Sequence, residues 1–158
     1  MIIEYDKKYD DQVKCLLIEL QQHIVELDEE HYNCISENYV ELYLDKTLKE
    51  INDNHGKMFL YCDDNKIVGL VVALVNNEEI DTYDFKAPKR GRVSELIISK
   101  NARSCGIGKQ LLSHAEDYLK QVDCKDVLVE VFAYNEKAIK FYEKNGFHTR
   151  MVEMTKKF

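Results

Sequence analysis

Features that would assign the chain to a membrane, secreted or nucleic-acid-binding class are missing from its sequence. No apolar run approaches the roughly 20 residues that a membrane-spanning helix needs, and the first residues show neither the basic region nor the apolar stretch of a secretory signal. Acidic residues outnumber basic ones, 29 against 22. The net charge of −7 lacks the basic excess that sequence-independent nucleic-acid binding requires. We therefore expect neither nucleic acid nor a membrane among its partners.

Cysteine is present, but in no pattern that indicates a metal site or a disulfide framework. The five cysteines are odd in number, no C-x-x-C pair occurs, and no histidine stands at zinc-ligand spacing from them. Reduced thiols, a cytoplasmic location and no metal are the expectation. The charged and apolar fractions, 32% and 45%, are those of a globular protein, and 158 residues suffice for one domain, 1–158, with a sizeable core.

The spacing of apolar residues predicts an α/β fold with one mixed sheet and helices on both faces. Helical spacing is found at residues 10–27, 37–52, 107–119 and 136–144. Strand-like apolar runs are found at residues 2–5, 57–62, 67–75, 93–98, 126–133 and 147–158. The run at 67–75 is apolar on both faces, which predicts a central strand, and it forms a hairpin with the run before it. The polar segment 76–89, which holds the only proline, is predicted to be a loop.

The most informative stretch runs from residue 91 to residue 112 and reads as a strand, a polar loop and a helix. Gly106 and Gly108 stand at the start of the helix. Glycines allow a ligand to approach the backbone closely, and the N–H groups of a first helical turn point at an anion. The stretch therefore predicts a phosphate-binding loop.

Two common nucleotide motifs do not fit this loop. The dinucleotide motif G-x-G-x-x-G needs a third glycine where Leu111 stands. The P-loop needs a serine or threonine where Gln110 stands, and Arg103 occupies the position of its first glycine. Without that hydroxyl there is no magnesium ligand, so we do not expect a nucleoside triphosphate.

A second motif follows the loop and an intervening strand. Arg103-x-x-Gly106-x-Gly108 is succeeded by N-E-K-A-I-K-F-Y-E-K-N-G-F, which begins at Asn135. The two together closely resemble the GNAT superfamily of acetyl-CoA-dependent N-acetyltransferases, whose signature is [R/Q]-x-x-G-x-[G/A] and then N-x-x-A-x-x-F-Y-x-x-x-G-F. The matching positions of the second motif are Asn135, Ala138, Phe141, Tyr142, Gly146 and Phe147. The resemblance extends over residues 93–147 and implies the GNAT acyl-CoA N-acyltransferase fold, in which the central mixed sheet is mostly antiparallel. In the N-terminal half the resemblance rests on the order of elements alone.

The resemblance also implies which residues bind acetyl-CoA as co-substrate. The pyrophosphate would lie on the backbone amides of Ser104, Cys105, Gly106, Ile107, Gly108 and Lys109. Arg103 and Lys109 would add charge to that contact. The pantetheine arm would fill a gap where two strands splay, and it would pair with the backbone of Leu96, Ile97 and Ile98. Asn135 would hydrogen-bond the arm, cap its own helix, or do both.

The same resemblance suggests the catalytic groups. Tyr142 would protonate the departing thiolate, unless it is only an amphipathic core residue. Glu95 is the leading candidate for the general base, directly or through a water, and Glu130 on the neighbouring strand could share that task. Alternation along the strand predicts that Glu95 shares a face with Val93 and Ile97, where it could equally be half-buried and structural.

The expected function is direct transfer of the acetyl group of acetyl-CoA to a primary amine of a small cationic molecule or of a peptide or protein. The alternative is a catalytically weak acyl-CoA-binding module with a sensing or regulatory role. The acidic segments 28–30 and 78–84 could attract a cationic acceptor or could be solvated loops. The resemblance is also compatible with a homodimer.

Overall fold

A five-stranded mixed sheet forms the centre of the protein, which a computed structural model describes over all residues 1–158. Its strand order is β1-β2-β3-β6-β7, and every neighbouring pair is antiparallel except β6 and β7. The strands are β1 (Ile2–Glu4), β2 (Lys57–Asp63), β3 (Lys66–Asn77), β4 (Ile80–Asp81), β5 (Lys86–Ala87), β6 (Arg90–Ile98) and β7 (Asp126–Val129). The helices are α1 (Asp10–Leu27), α2 (Tyr39–Asp53), α3 (Ile107–Gln121) and α4 (Glu136–Lys144). The predicted mixed sheet with helices on both faces is confirmed.

Helices cover both faces of β3, which is the central strand as predicted. Its alternate residues Val71 and Ala73 belong to a core beneath α3, whereas Leu70 and Val72 belong to a second core beneath α1 and α2. All four are completely buried. Because a strand covered on both faces needs apolar residues at every position, the unbroken apolar run in the sequence predicted this placement.

A β-bulge at Ser94 interrupts β6. Val72 pairs with Glu95 and the next residue, Ala73, pairs with Val93, so Ser94 has no partner on β3. The extra residue reverses the side of the sheet on which later side chains lie. Val93 therefore packs under α3, while Glu95 and Ile97 lie on the α1–α2 side. The predicted alternation, with Glu95 on the same face as both Val93 and Ile97, is wrong for Val93.

Strands β6 and β7 separate beyond the bulge. Their last pair is Val93 with Val129, whereas β6 continues to Ile98 on β3. The strand predicted at 126–133 therefore ends at residue 129, because its partner turns away there. From Ser94 onward, one edge of β6 has no strand beside it.

The segment predicted to be a last extended strand, residues 147–158, forms no strand, and nearly all of it is exposed. Charged residues interrupt both of its alternating sets, so neither set offers an apolar face to the sheet. Instead the Thr155 hydroxyl donates to Glu30 at 3.1 Å, and the Lys157 ammonium lies 3.0 Å from the same carboxylate. The predicted loop 76–89 contains the short strands β4 and β5. None of the four helices combines the length and the apolar character needed to cross a bilayer.

Candidate active site

Glu95 lies just after the bulge and points to α2. Tyr43 of α2 donates its hydroxyl to Glu95 Oε1 at 2.5 Å. Burial raises the pKa of Glu95 to about 7, although the Tyr43 hydrogen bond acts in the opposite direction by stabilising the ionised form. A carboxyl group with this pKa is about half ionised at neutral pH, so it can accept a proton there and release it again.

Tyr43 was not among the residues singled out from the sequence. It stacks on Tyr39, one turn earlier in α2, with ring centroids 5.2 Å apart. The Tyr39 hydroxyl donates in turn to the side-chain oxygen of the buried Gln21 of α1, at 3.2 Å. Burial and the charge of Glu95 raise the pKa of both tyrosines, so their hydroxyls remain protonated donors. The only available signal was two tyrosines at helical spacing beside the apolar stripe of α2.

A cavity of about 310 Å³ opens in front of Glu95. Charged and polar groups from α2, β6 and the end of β7 line it: Tyr43, Lys46, Glu50, Arg92, Ser94, Glu95 and Glu130, together with Val93. Glu130 thus lies in the same cavity as Glu95, as the idea of two cooperating carboxylates requires. A wider depression of about 820 Å³ lies between the C-terminal ends of α2 and α3, and no predicted site residue lines it.

Tyr142 reaches the same region from α4, on the opposite face of the sheet. Its ring packs between Phe141 and Phe147, with centroids 5.2 and 5.3 Å away, and its hydroxyl makes no hydrogen bond within the protein. Burial, and then the negative charge of Glu95, raise the pKa of Tyr142 to about 12. The negative charge of Glu95 therefore acts on Tyr142, although the two side chains lie on opposite faces of the sheet.

The glycine loop presents unused backbone donors. Ser104 and Gly106 have positive φ angles of 66° and 75°, and α3 begins immediately afterwards without a side-chain cap. No protein acceptor receives a hydrogen bond from the amides of residues 104–109, the first internal bond at this end being that from Gln110 to Gly106. A Cβ on Gly108 would meet Phe141 and Ile98 only at ordinary contact distances of 3.6 and 3.7 Å. Internal packing therefore does not demand glycine at this position.

Other predicted binding residues already have partners within the protein. The Arg103 Nε donates to the Ile98 carbonyl at 3.0 Å, and its guanidinium lies 3.4 Å from Glu19. This arginine thus ties the loop to the end of β6. Asn135 caps α4 by accepting from the Ala138 amide at 3.1 Å, which confirms the capping interpretation.

The remaining loop side chains do not share one environment. Ile107 is buried in the core, while Cys105 and Lys109 are exposed. Ile107 can therefore offer a ligand its backbone but not its side chain, whereas Cys105 and Lys109 can offer both. Nowhere in the chain do three or more histidine, cysteine, aspartate or glutamate side chains form a group that could hold a metal ion.

A known protein family matches most of the chain, and solved structures share its fold. The family model described as "Acetyltransferase (GNAT) family" matches residues 21–147. YhfO of Bacillus subtilis (strain 168), an uncharacterized N-acetyltransferase, is 29% identical to this chain over 102 residues. The aligned residues are 63% of this chain and 64% of YhfO, so the chain spans less than two thirds of that relative. The BH1408 protein of Bacillus halodurans, solved as a tetramutant, superposes with a TM-score of 0.87 at 18% identity, covering 100% of this chain and 99% of the other.

A further structure is informative because of what it contains. The aminoglycoside N-acetyltransferase AAC(6')-Iy, solved in complex with CoA, superposes with a TM-score of 0.72 at 14% identity and covers 99% of this chain and 93% of its own. At these identities, the structural likenesses show a common fold.

Proposed function

The chain belongs to the acetyltransferase (GNAT) family, and we propose that it transfers the acetyl group of acetyl-CoA directly to a primary amine of a small molecule or a peptide. The observation that carries this proposal is the gap between β6 and β7, with Glu95 on one side and the free hydroxyl of Tyr142 on the other. A base and an acid on either side of one opening are what acyl transfer to an amine requires. The fold shared with a CoA-bound aminoglycoside acetyltransferase adds support.

The donor would bind along the loop and the free edge of β6. The unsatisfied amides of residues 104–109 would face an anion bound at the start of α3, where the helix dipole would add about 0.3–1 kcal/mol per charge. A pyrophosphate fits this arrangement, and Lys109 would contribute its charge. The pantetheine arm would lie in the gap against the backbone of Leu96, Ile97 and Ile98. Asn135 would bind the arm through its side-chain nitrogen, which donates to no protein group.

The acceptor must lose a proton before or during its attack. A lysine-like amine with a pKa of about 10.4 pays about 4.6 kcal/mol to be neutral at pH 7. Once the ammonium proton has left to solvent, the neutral amine attacks the acetyl carbon, and Glu95, with a pKa of about 7, would accept the second proton as the carbon–nitrogen bond forms. Glu130 borders the same cavity and would assist through a water molecule.

Tyr142 would act on the leaving group. As the carbon–sulfur bond breaks, the electron pair stays on sulfur, and the phenol would donate a hydrogen bond and then its proton. With a pKa of about 12 against about 8.5 for a thiol, that transfer is uphill by about 5 kcal/mol in the resting protein. Protonation of Glu95 by the acceptor removes one of the two causes of the raised pKa, so the acid becomes stronger as the base is used.

The decisive experiment measures donor binding and turnover separately. Gly108→Glu adds a negative charge to the loop whose amides would bind the pyrophosphate, so acetyl-CoA affinity should fall by at least 100-fold while the circular dichroism spectrum and melting temperature change little. Gly108→Ala is the matched control, because a methyl group fits there at ordinary contact distance. Unchanged affinity in Gly108→Glu would refute the assignment of the loop.

Tyr142→Phe tests the acid. Thiol release from acetyl-CoA with a panel of amines should slow by 100-fold or more, because general acid–base groups contribute about 10²–10⁴ in rate. The dissociation constant of acetyl-CoA should change by less than threefold. Wild-type turnover in this variant would remove the acid role. Tight binding of acetyl-CoA by the wild-type protein, with no thiol release for any amine, would instead favour the acyl-CoA-binding module.

A further inference from the structure

The cavity in front of Glu95 contains charges of both signs, and the bulge at Ser94 brings them together. Residues three apart on a regular strand point to opposite faces. Because Ser94 is the extra residue, Arg92 and Glu95 instead line one cavity. A cation and a carboxylate on the same strand thus border the same cavity.

The cations of this cavity are only partly neutralised. The Lys46 ammonium and the Arg92 guanidinium both approach Glu50, but at 3.7 and 3.9 Å, which is beyond hydrogen-bonding distance. Neither side chain donates a hydrogen bond to any protein acceptor. Arg90 differs, since its Nε lies 2.6 Å from Asp126. Arg92 and Lys46 therefore offer a net positive charge and unused donors to a ligand.

Carboxylates line the same cavity. Glu95 accepts only the Tyr43 hydroxyl, and Glu130 has no hydrogen-bond or ion-pair partner in the protein. An amine placed there meets carboxylate oxygens. A second ammonium group on the same molecule would meet Arg92 and Lys46 and be repelled.

We propose, on the basis of the proposed function, that the acceptor is an amino-carboxylate of amino-acid size, with its amine at Glu95 and its carboxylate at Arg92 and Lys46. The volume of about 310 Å³ is at the lower end of the range for ligand pockets, which suits such a molecule better than an aminoglycoside. Charge-assisted bonds from a guanidinium match a carboxylate well, because the fork of donors can bind both oxygens.

The test compares each standard amino acid with its own C-terminal amide as acceptor, beside spermidine and kanamycin, with thiol release from acetyl-CoA as the readout. An amino acid amide has a less basic amine than the acid, so by amine chemistry alone the amide would react faster at neutral pH. We expect the opposite order for at least one amino acid, with kcat/KM at least tenfold higher for the acid than for its amide. A ratio at or below one for every pair, no turnover with any amino acid, or faster reaction of spermidine or kanamycin overturns the inference.

Variants separate the anion contact from the rest of the site. Arg92→Gln should lower the acid-to-amide ratio by about 10- to 100-fold, the range for one lost hydrogen bond to a charged group. Lys46→Gln should lower it less, because Lys46 is more exposed. Lys49→Gln is the matched control, because it also removes one positive charge from α2. Lys49 pairs with Asp53 and does not line the cavity. A ratio in Arg92→Gln equal to that in Lys49→Gln overturns the inference.

The acetyl-CoA dissociation constant, measured for each variant, distinguishes a defect in acceptor recognition from a defect in donor binding. Wild-type affinity with an altered ratio places the change in the acceptor cavity. Failure of the wild-type protein to bind acetyl-CoA contradicts the proposed function itself.

Discussion

Replacing Tyr43 with phenylalanine is the sharpest test of Glu95 as the base. The Tyr43 hydroxyl stabilises the ionised carboxylate through a 2.5 Å hydrogen bond and so lowers the pKa of Glu95 against the larger effect of burial. Removing the hydroxyl leaves burial unopposed by that bond. The pKa of Glu95 must therefore rise above its present value of about 7.

The size of the rise follows from the energy of the bond. A hydrogen bond to a charged group contributes about 1.5–3 kcal/mol. The lower figure corresponds to an increase in the pKa of Glu95 from about 7 to about 8. The ionised fraction of Glu95 at pH 7 would then fall from about a half to about a tenth. We expect kcat/KM at pH 7 to fall about fivefold for that reason alone.

The pH profile identifies the group that titrates. For an acceptor whose amine has a pKa above 9, log kcat/KM should rise with a slope of one between pH 7 and 9, because the neutral amine is the reactant. Below the pKa of Glu95 the slope should steepen to two, because the carboxylate is also lost. The break should lie near pH 7 in the wild type, near pH 8 in Tyr43→Phe, and nowhere in Glu95→Gln.

Tyr39→Phe is the matched control, since it makes the same change one turn earlier on the helix. Its hydroxyl binds Gln21 and not Glu95, so the break should stay near pH 7. A break at the same pH in Tyr43→Phe as in the wild type would refute the hydrogen-bond argument. A break that persists in Glu95→Gln would show that another group is the base.

Two further perturbations test the environments of buried carboxylates. Burial raises the pKa of Glu95 above its unfolded value, so the stability that Glu95 contributes is fully present below about pH 4.5 and is lost as the pH rises through about 7. Glu95→Gln should therefore increase the free energy of unfolding measured with urea at pH 8, by at most about 3 kcal/mol. At pH 4.5 the same variant should show no such gain. Buried Asp28 accepts hydrogen bonds from the amides of Glu30, Tyr32 and Asn33 in the connection between α1 and α2. Asp28→Ala should therefore speed the hydrogen exchange of residues 29–33 and leave β3 protected. Unchanged exchange in this connection would contradict the idea that Asp28 organises it.

Most of the fold was predictable because its elements are encoded by local spacing. The two-sided apolar run of β3 could only be a covered strand, and the stripes of α1 and α2 recur at helical intervals. The failures have a different origin. The extent of β7 depends on where its neighbour β6 turns away, which is a property of the pair and not of the segment 126–133.

The site divides in the same way. Tyr142 and the loop at residues 104–109 belong to motifs of fixed spacing, and so the sequence indicated them. Tyr43 and Glu95 are 52 residues apart, and the local sequence around neither residue predicts their contact. Arg103 was correctly placed at the loop, but its bond to Ile98 and its proximity to Glu19 depend on the way the loop folds back on β6 and α1.

The bulge at Ser94 links these observations. Had β6 kept its period of two residues, Glu95 would lie on the same face as Val93, under α3, away from Tyr43 and from the acceptor cavity. One unpaired residue moves Glu95 to the α2 side, brings Arg92 to the same cavity, and coincides with the point where β7 separates. The opening then allows Glu95 on one face to affect the pKa of Tyr142 on the other. The proposed base and the proposed acceptor cavity thus depend on a single irregularity, because a regular β6 that contained Ser94 would turn Glu95 towards α3 while Arg92 stayed on the α2 side.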